Sequence, residues 1–194
     1  MPTFPGSRVL FICMCRNRQP FFVERDGKGT YIPLYTEIRG NFFINDINAQ
    51  EAVDNDDNSA YYETHHNFLP FSSAGLKSDF GGHDNHHHHN MYINTDTCMN
   101  IVAQFPGHND AFYNNTCVIY SNSSNYVSFE VKGSGDSLPV MHDNRVYTLD
   151  GNAKENGDTI AAWQAKGVDL GTTVALIPSE DELVSMARDL LNMQ

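Results

Sequence analysis

Asn115-Thr116-Cys117-Val118-Ile119-Tyr120 is an Asn followed by a short apolar run, and the same figure recurs along the chain. The other copies are Asn41-Phe42-Phe43-Ile44-Asn45, Asn67-Phe68-Leu69-Pro70-Phe71, Asn90-Met91-Tyr92-Ile93-Asn94 and Asn144-Arg145-Val146-Tyr147-Thr148-Leu149. The leading Asn residues are 26, 23, 25 and 29 positions apart. Self-similarity at that period marks stacked repeats. Short strands punctuated by Gly, Asn and Asp fit a β-solenoid, and a β-sandwich would place its strands every 8–12 residues. The expected fold is therefore all-β, a parallel β-helix. Asn suits its corners because it tolerates the left-handed backbone region and bonds its own main chain. Stacked Asn side chains also form hydrogen-bond ladders. Between Phe42 and Tyr147 no 3.6-residue apolar period is sustained.

The C-terminus reads differently. Ser179 is an N-cap with Glu182 three residues on, a capping box, and acids gather at the positive end of the dipole. Leu183, Val184, Met186, Ala187, Leu190 and Leu191 then share a face, which predicts a helix over 179–193. Such a helix is suited to covering an open solenoid end. A shorter helix is expected from Ile160 to Lys166, ending at Gly167. The chain is read as one domain, with turns over about 35–155 and a capping segment over 156–194. The N-terminus offers no comparable polar cap, so earlier turns are expected to be missing. Val9 to Cys15 reads as a buried strand, being too short for a signal h-region.

Charge bounds the function. Lys+Arg is 12 and Asp+Glu 24, a net charge of −12 over 194 residues. That argues against a nucleic-acid partner and against an anionic membrane surface. No apolar run is long enough to span a bilayer. Eight of the nine His lie between His65 and His108, and from Gly40 to Val131 the only basic residue is Lys77. Ten acids, Asp46 to Asp110, share that segment. The 20 Asn have an architectural explanation, whereas the acids and imidazoles do not, so the site is expected within residues 51–110.

Four clusters carry the chemistry. In the first, Glu51, Asp54, Asp56, Asp57 and Glu63 gather acids. Asp54 to Asn58 resembles part of an EF-hand loop, but Ser59 stands where the turn Gly belongs and His65 where the twelfth-position acid belongs. The residues leave a calcium site of another kind, on Asp54 and Asp56, beside a merely solvated loop. The second cluster is Glu63-Thr64-His65-His66, and the third runs from Asp79 through Gly81-Gly82-His83-Asp84 to His86-His87-His88-His89. On a strand, His86 and His88 would face one way and His87 and His89 the other. Two such imidazoles, His88 among them, bind a transition metal when an acid joins from a neighbouring turn. The fourth cluster is His108-Asn109-Asp110. Glu63, Asp84 and Asp110 lie four, six and five residues ahead of Asn67, Asn90 and Asn115, which suggests similar phases on successive turns. Close carboxylates shift each other's pKa, and glycosidic hydrolysis uses such a pair. Asp57, Glu63, Asp84 and Asp110 are the acid/base candidates, with His65, His66, His83 and His86 as polarising or relay groups. Tyr61, Tyr62, Phe80, Phe105, Phe112 and Tyr113 suit sugar stacking or packing under loops, and Lys77 is the central cation. A face this acidic favours a neutral glycan.

Cys98 and Cys117 allow either a disulfide or two buried thiols, and the absence of C-x-x-C argues against a structural zinc site.

The segments 40–45, 51–57, 61–67 and 80–84, the later Asn-led rungs, and the tail Trp163-Gln164-Ala165-Lys166-Gly167-Val168-Asp169-Leu170-Gly171-Thr172 together resemble right-handed parallel β-helix proteins of the pectin-lyase-like kind, related to carbohydrate-active enzymes. The likeness covers about residues 35–175 at fold level. It implies a right-handed helix, an extracellular or secretory setting and a polysaccharide or oligosaccharide substrate. The pectin-hydrolase signatures occur here in a different order, Asp56-Asp57, Gly82-His83, then Asn94-Thr95-Asp96, so those catalytic roles are not carried over. A glycoside hydrolase requiring no cofactor is the leading expectation. The alternatives are a polysaccharide lyase or epimerase, a non-catalytic solenoid binding glycan or calcium, and a His-rich transition-metal binder.

Overall fold

The computed structural model describes residues 23–25, 31–33, 35–43, 51–93, 95–102, 107–121, 125–130 and 138–193. The proposed strand over Val9–Cys15 and Phe105 lie outside these residues, as do Cys13 and Cys15. Strands β1 (Val23–Arg25) and β2 (Tyr31–Pro33) form an antiparallel pair. The chain then winds through β3 (Thr36–Arg39) and β4 (Glu51–Asn55), then β5 (Tyr62–His65), β6 (Phe68–Pro70) and β7 (Ala74–Ser78). The next turn is β8 (His86–His88), β9 (Met91–Ile93) and β10 (Thr97–Ile101), and after it come β11 (Ala111–Tyr113), β12 (Thr116–Ile119) and β13 (Asn125–Phe129). The last turn holds β14 (Val140–His142), β15 (Arg145–Thr148) and β16 (Lys154–Glu155). It closes with β17 (Asp158–Thr159), α1 (Ile160–Gln164), β18 (Thr173–Leu176) and α2 (Glu180–Leu190).

Successive turns pair in parallel, giving three sheets that run along the column. Sheet I is β3-β5-β8-β11-β14, sheet II is β6-β9-β12-β15-β18, and sheet III is β4-β7-β10-β13-β16-β17. This is the parallel β-solenoid that the Asn period predicts. Among the described residues, no helix precedes Ile160.

The five leading Asn residues are the frame. Each main-chain N–H donates to the side-chain carbonyl of the Asn one turn on: Asn41 to Asn67 at 3.0 Å, Asn67 to Asn90 at 3.1 Å, Asn90 to Asn115 at 3.0 Å, and Asn115 to Asn144 at 3.0 Å. The Nδ2 groups of Asn67, Asn90, Asn115 and Asn144 donate to the main-chain carbonyls of Ile38, Thr64, His87 and Phe112. Thr172 ends the ladder by accepting from the Asn144 N–H at 2.9 Å. A buried amide costs heavily unless every polar atom is paired, and stacking pairs them. The residue before each ladder position has a left-handed backbone: Gly40, His66, His89, Asn114, Asp143 and Gly171.

Inside the column, side chains of equal phase stack. Ile38, Thr64, His87, Phe112 and Met141 come from sheet I, and Val53, Leu76, Met99 and Val127 from sheet III. Gly75 leaves room for the Tyr92 ring, because a Cβ there would press on that ring and lie 2.6 Å from the Cys98 carbonyl oxygen. Cys98 and Cys117 are free, buried thiols in this column, which decides the question the sequence leaves between thiols and a disulfide.

The shorter helix forms where expected, and its Trp163 joins the core, donating from Nε1 to the Glu155 carbonyl at 2.8 Å. The capping box of α2 is present. Leu183 and Ala187 pack on Met91 and Val118, which project from the outer side of sheet II. The helix thus covers a flank, while α1 and Trp163 stand over the last turn. No helix of the described residues is long and apolar enough to cross a membrane.

Candidate functional site

Residues that alternate outward on sheet I form the imidazole face. Strand register aligns Arg39, His65, His88, Tyr113 and His142 in one column. The rings stack: His65 on His88 at 5.0 Å, His88 on Tyr113 at 4.9 Å and Tyr113 on His142 at 4.9 Å, with planes 11–14° apart. That spacing is the strand separation itself. Rings stacked this way keep their faces for each other and turn their edges to the neighbouring side chains and the surface. A second outward column holds Glu37, Glu63 and His86. The left-handed corner adds His66 and His89, whose rings stack at 5.0 Å.

The columns are laced together. His88 Nε2 lies 2.9 Å from Glu63 Oε1, and His88 Nδ1 lies 2.9 Å from His89 Nδ1. On the rung before, His65 Nδ1 and His66 Nδ1 are 2.8 Å apart. The hydrogen bond from His88 lowers the Glu63 pKa. Burial lowers the pKa of His65, His66, His86 and His89, so these rings are neutral at pH 7 and have a lone pair to give.

His87 faces inward and is wholly buried, its Nε2 accepting from Asn55 Nδ2 at 3.1 Å. Burial pushes its pKa down to about 3. The strand alternation expected for 86–88 therefore holds. His89 departs from it, because β8 ends at His88 and the left-handed turn swings His89 to the exposed side beside His66.

A second group precedes β8. His83 Nδ1 and His108 Nδ1 both approach Asp84 Oδ2, at 2.9 and 2.6 Å. Burial acts to raise the Asp84 pKa, but the hydrogen bonds from His108 and His83 outweigh it and hold the carboxyl below its ordinary range. Gly82 packs against the Asn55 carbonyl with no room for a side chain, which fixes the entry to His83. Tyr35 stacks on His86 at 4.6 Å, and its hydroxyl lies 3.2 Å from His86 Nε2. Burial, then the charges of Asp84, Tyr61 and Glu63, push the Tyr35 pKa up to about 12. No repeat or cluster in the sequence marks Tyr35.

The four carboxylates singled out from the sequence separate. Glu63 and Asp84 stand at or beside this face. Asp110 is buried, its Oδ1 accepting the Asn85 N–H at 2.8 Å, and burial raises its pKa to about 7. Asp57 is exposed, with a left-handed backbone in the loop after β4. The sequence offsets differ from the true phase because the corner is constant. Glu63, His86 and Ala111 share one phase, each four residues before its ladder Asn.

Lys77 lies on sheet III, nearly buried, with Nζ 2.9 Å from Asp79, 3.5 Å from Glu51 and 3.9 Å from Asp54. Asp54 and Asp56 converge there with Asp79, whose pKa burial raises to about 6. The ammonium of Lys77 supplies a counter-ion to that group. Phe112 is a core ring and Tyr62 packs partly against the core, whereas Tyr61 is edge-on to His83 at 6.1 Å and Phe80 is exposed.

Beside the corner column runs a groove of about 570 Å³ between sheet II and α2. His66, His89, Asn114, Asp143, Arg145 and Asp189 line it with polar groups. Comparison with protein-family models, with curated proteins and with solved structures gives no match.

Proposed function

We propose that this chain processes an extracellular polysaccharide or oligosaccharide along the outer face of sheet I. The observation that carries the reading is continuity. The laced carboxylate–imidazole face runs through His66 and His89 directly into the polar groove beside α2. A long, straight, polar surface matches an extended polymer, and edge-on rings suit hydrogen bonding to hydroxyls.

In this reading Glu63 and Asp84 are the reacting carboxylates. Both are held ionised by His partners, so the proton donor is an imidazole or Tyr35, not a carboxylic acid. His86, with a lone pair to give, is the base, and Tyr61 and Phe80 border the substrate. Glycosidic hydrolysis is the first reaction to test. The Tyr35–His86 pair favours a second one, elimination, in which a base removes a ring proton and a nearby hydroxyl protonates the leaving oxygen.

A polysaccharide screen read by both new reducing ends and unsaturated-uronate absorbance separates the two reactions. Reducing ends alone indicate hydrolysis, and both signals together indicate elimination. The Glu63→Gln and Asp84→Asn variants should lose either activity. Retained binding of a glycan with no turnover would establish the non-catalytic solenoid instead, and neither binding nor turnover across the screen would overturn the reading.

A further inference from the structure

We propose that His83, Asp84 and His108 form a binding site for a divalent first-row transition metal, with zinc as the reference ion. The inference does not rest on the glycan reading, and an ion held there would make Asp84 a ligand in place of the reacting carboxylate named above. The three side chains offer ligand atoms that all lie within 4.8 Å of one another. Two imidazole nitrogens from neighbouring turns converge on one carboxylate oxygen, at 2.9 and 2.6 Å. In tetrahedral coordination, with bonds of about 2.0–2.1 Å, adjacent ligand atoms stand roughly 3.3 Å apart. Small rotations of these part-exposed side chains supply the difference. Two His and one carboxylate leave coordination positions open for water or a substrate oxygen, the arrangement of reactive metal sites.

The backbone beneath is already fixed. The His83 N–H donates to the Ser59 carbonyl at 3.1 Å and the Gly82 N–H to the Asp79 carbonyl at 2.7 Å. The Asn85 N–H is held by the buried Asp110 carboxylate. That last bond ties the segment bearing His83 and Asp84 to the segment bearing His108, so the backbone that carries the ligands is held before any ion arrives. Tyr61 packs edge-on against His83 and orients its ring.

The two other convergent groups are less suited. In the group of Asp54, Asp56 and Asp79, Asp54 and Asp79 pair with the Lys77 ammonium. In the group of Glu37, Glu63 and His65, Glu37 pairs with Arg39 and Glu63 with His88. The proposed ligand set contains the Asp84 carboxylate, in a chain of net charge −12, and a dication is drawn to it.

The test is calorimetric titration of chelator-stripped full chain with zinc chloride, paired with cobalt(II) absorption in the visible. Wild type should bind one equivalent at this site with a cobalt d–d spectrum of low coordination number. The double variant H83A/H108A should lose affinity about 100-fold or more, and D84N, which keeps the fold's preference at that left-handed position, at least ~10-fold. A variant with His65, His66, His88 and His89 all replaced by Ala should keep that equivalent and that spectrum. Unchanged binding in H83A/H108A, or loss only in the four-His variant, overturns the assignment, as does an absence of zinc binding by wild type. Urea unfolding of each variant confirms that the fold is intact, and D84N decides the matter if the double variant does not fold.

Discussion

Asn115 Oδ1 accepts the main-chain N–H of Asn90 at 3.0 Å, one turn away and out of contact with water. The same amide donates to the His87 carbonyl at 2.9 Å. Asn115→Ala therefore orphans a buried donor and a buried acceptor. At roughly 1–3 kcal/mol for each unpaired group, the variant should lose about 2–6 kcal/mol. The measurement is the urea midpoint with an unchanged slope, and a loss below about 0.5 kcal/mol would show that the ladder is not a stabilising frame.

Two buried titrating groups bound stability from opposite sides of the pH scale. The folded chain keeps His87 neutral down to about pH 3, while the unfolded chain protonates it near 6.5. Its contribution is complete above 6.5 and is lost as the pH falls, at up to about 1.4 kcal/mol per pH unit. Glu155 is wholly buried, and burial, then Asp169, push its pKa up to about 8 from an ordinary 4.5. The folded chain holds that proton, so stability is lost as the pH rises from 4.5 to 8. Between about pH 4.5 and 6.5 these two slopes oppose each other. Glu155→Gln should flatten the alkaline limb and His87→Leu the acid limb above pH 3, as seen in chemical denaturation from pH 3 to 9.

The Glu63–His88 contact acts further into acid. A lowered carboxyl pKa contributes stability above the ordinary value of 4.5, and the contribution disappears as the pH falls through the folded value below that. Glu63→Gln should therefore be less stable than wild type near pH 6, and the gap should close toward pH 2–3. A gap independent of pH would mean that the pair is steric and not electrostatic.

Leu183 tests the flank contact. It is 5% exposed against Met91 and Val118. Leu183→Ala should cost about 2–4 kcal/mol and increase dye binding to the outer side of sheet II. Val184→Ala, at a position 53% exposed, should cost little.

The fold was legible because one period is written in one residue type. Asn41, Asn67, Asn90, Asn115 and Asn144 are the ladder, and the burial that makes amides costly is what requires them in every turn. The imidazole face was legible as a cluster but not as a geometry. His66 and His89 look like strand residues in sequence, and only the left-handed corner turns them outward. Asp110 and Glu63 look alike in sequence, and main-chain bonding alone decides that one is buried structure and the other stands at the surface. Tyr35 belongs to no repeat, so its place against His86 follows from three-dimensional register.

The winding has one rigid corner and one elastic one. Between sheets I and II every complete turn spends two residues, 66–67, 89–90, 114–115 and 143–144. Between sheets III and I the allowance grows from six residues (56–61) to seven (79–85), nine (102–110) and ten (130–139). Asp57, His83, Asp84 and His108 all sit on the elastic corner, and the amide ladder sits on the rigid one. Insertions and new side chains can therefore accumulate where the chemistry is, without disturbing the register that holds the column. The protein separates the part that must be copied faithfully from the part that is free to diversify.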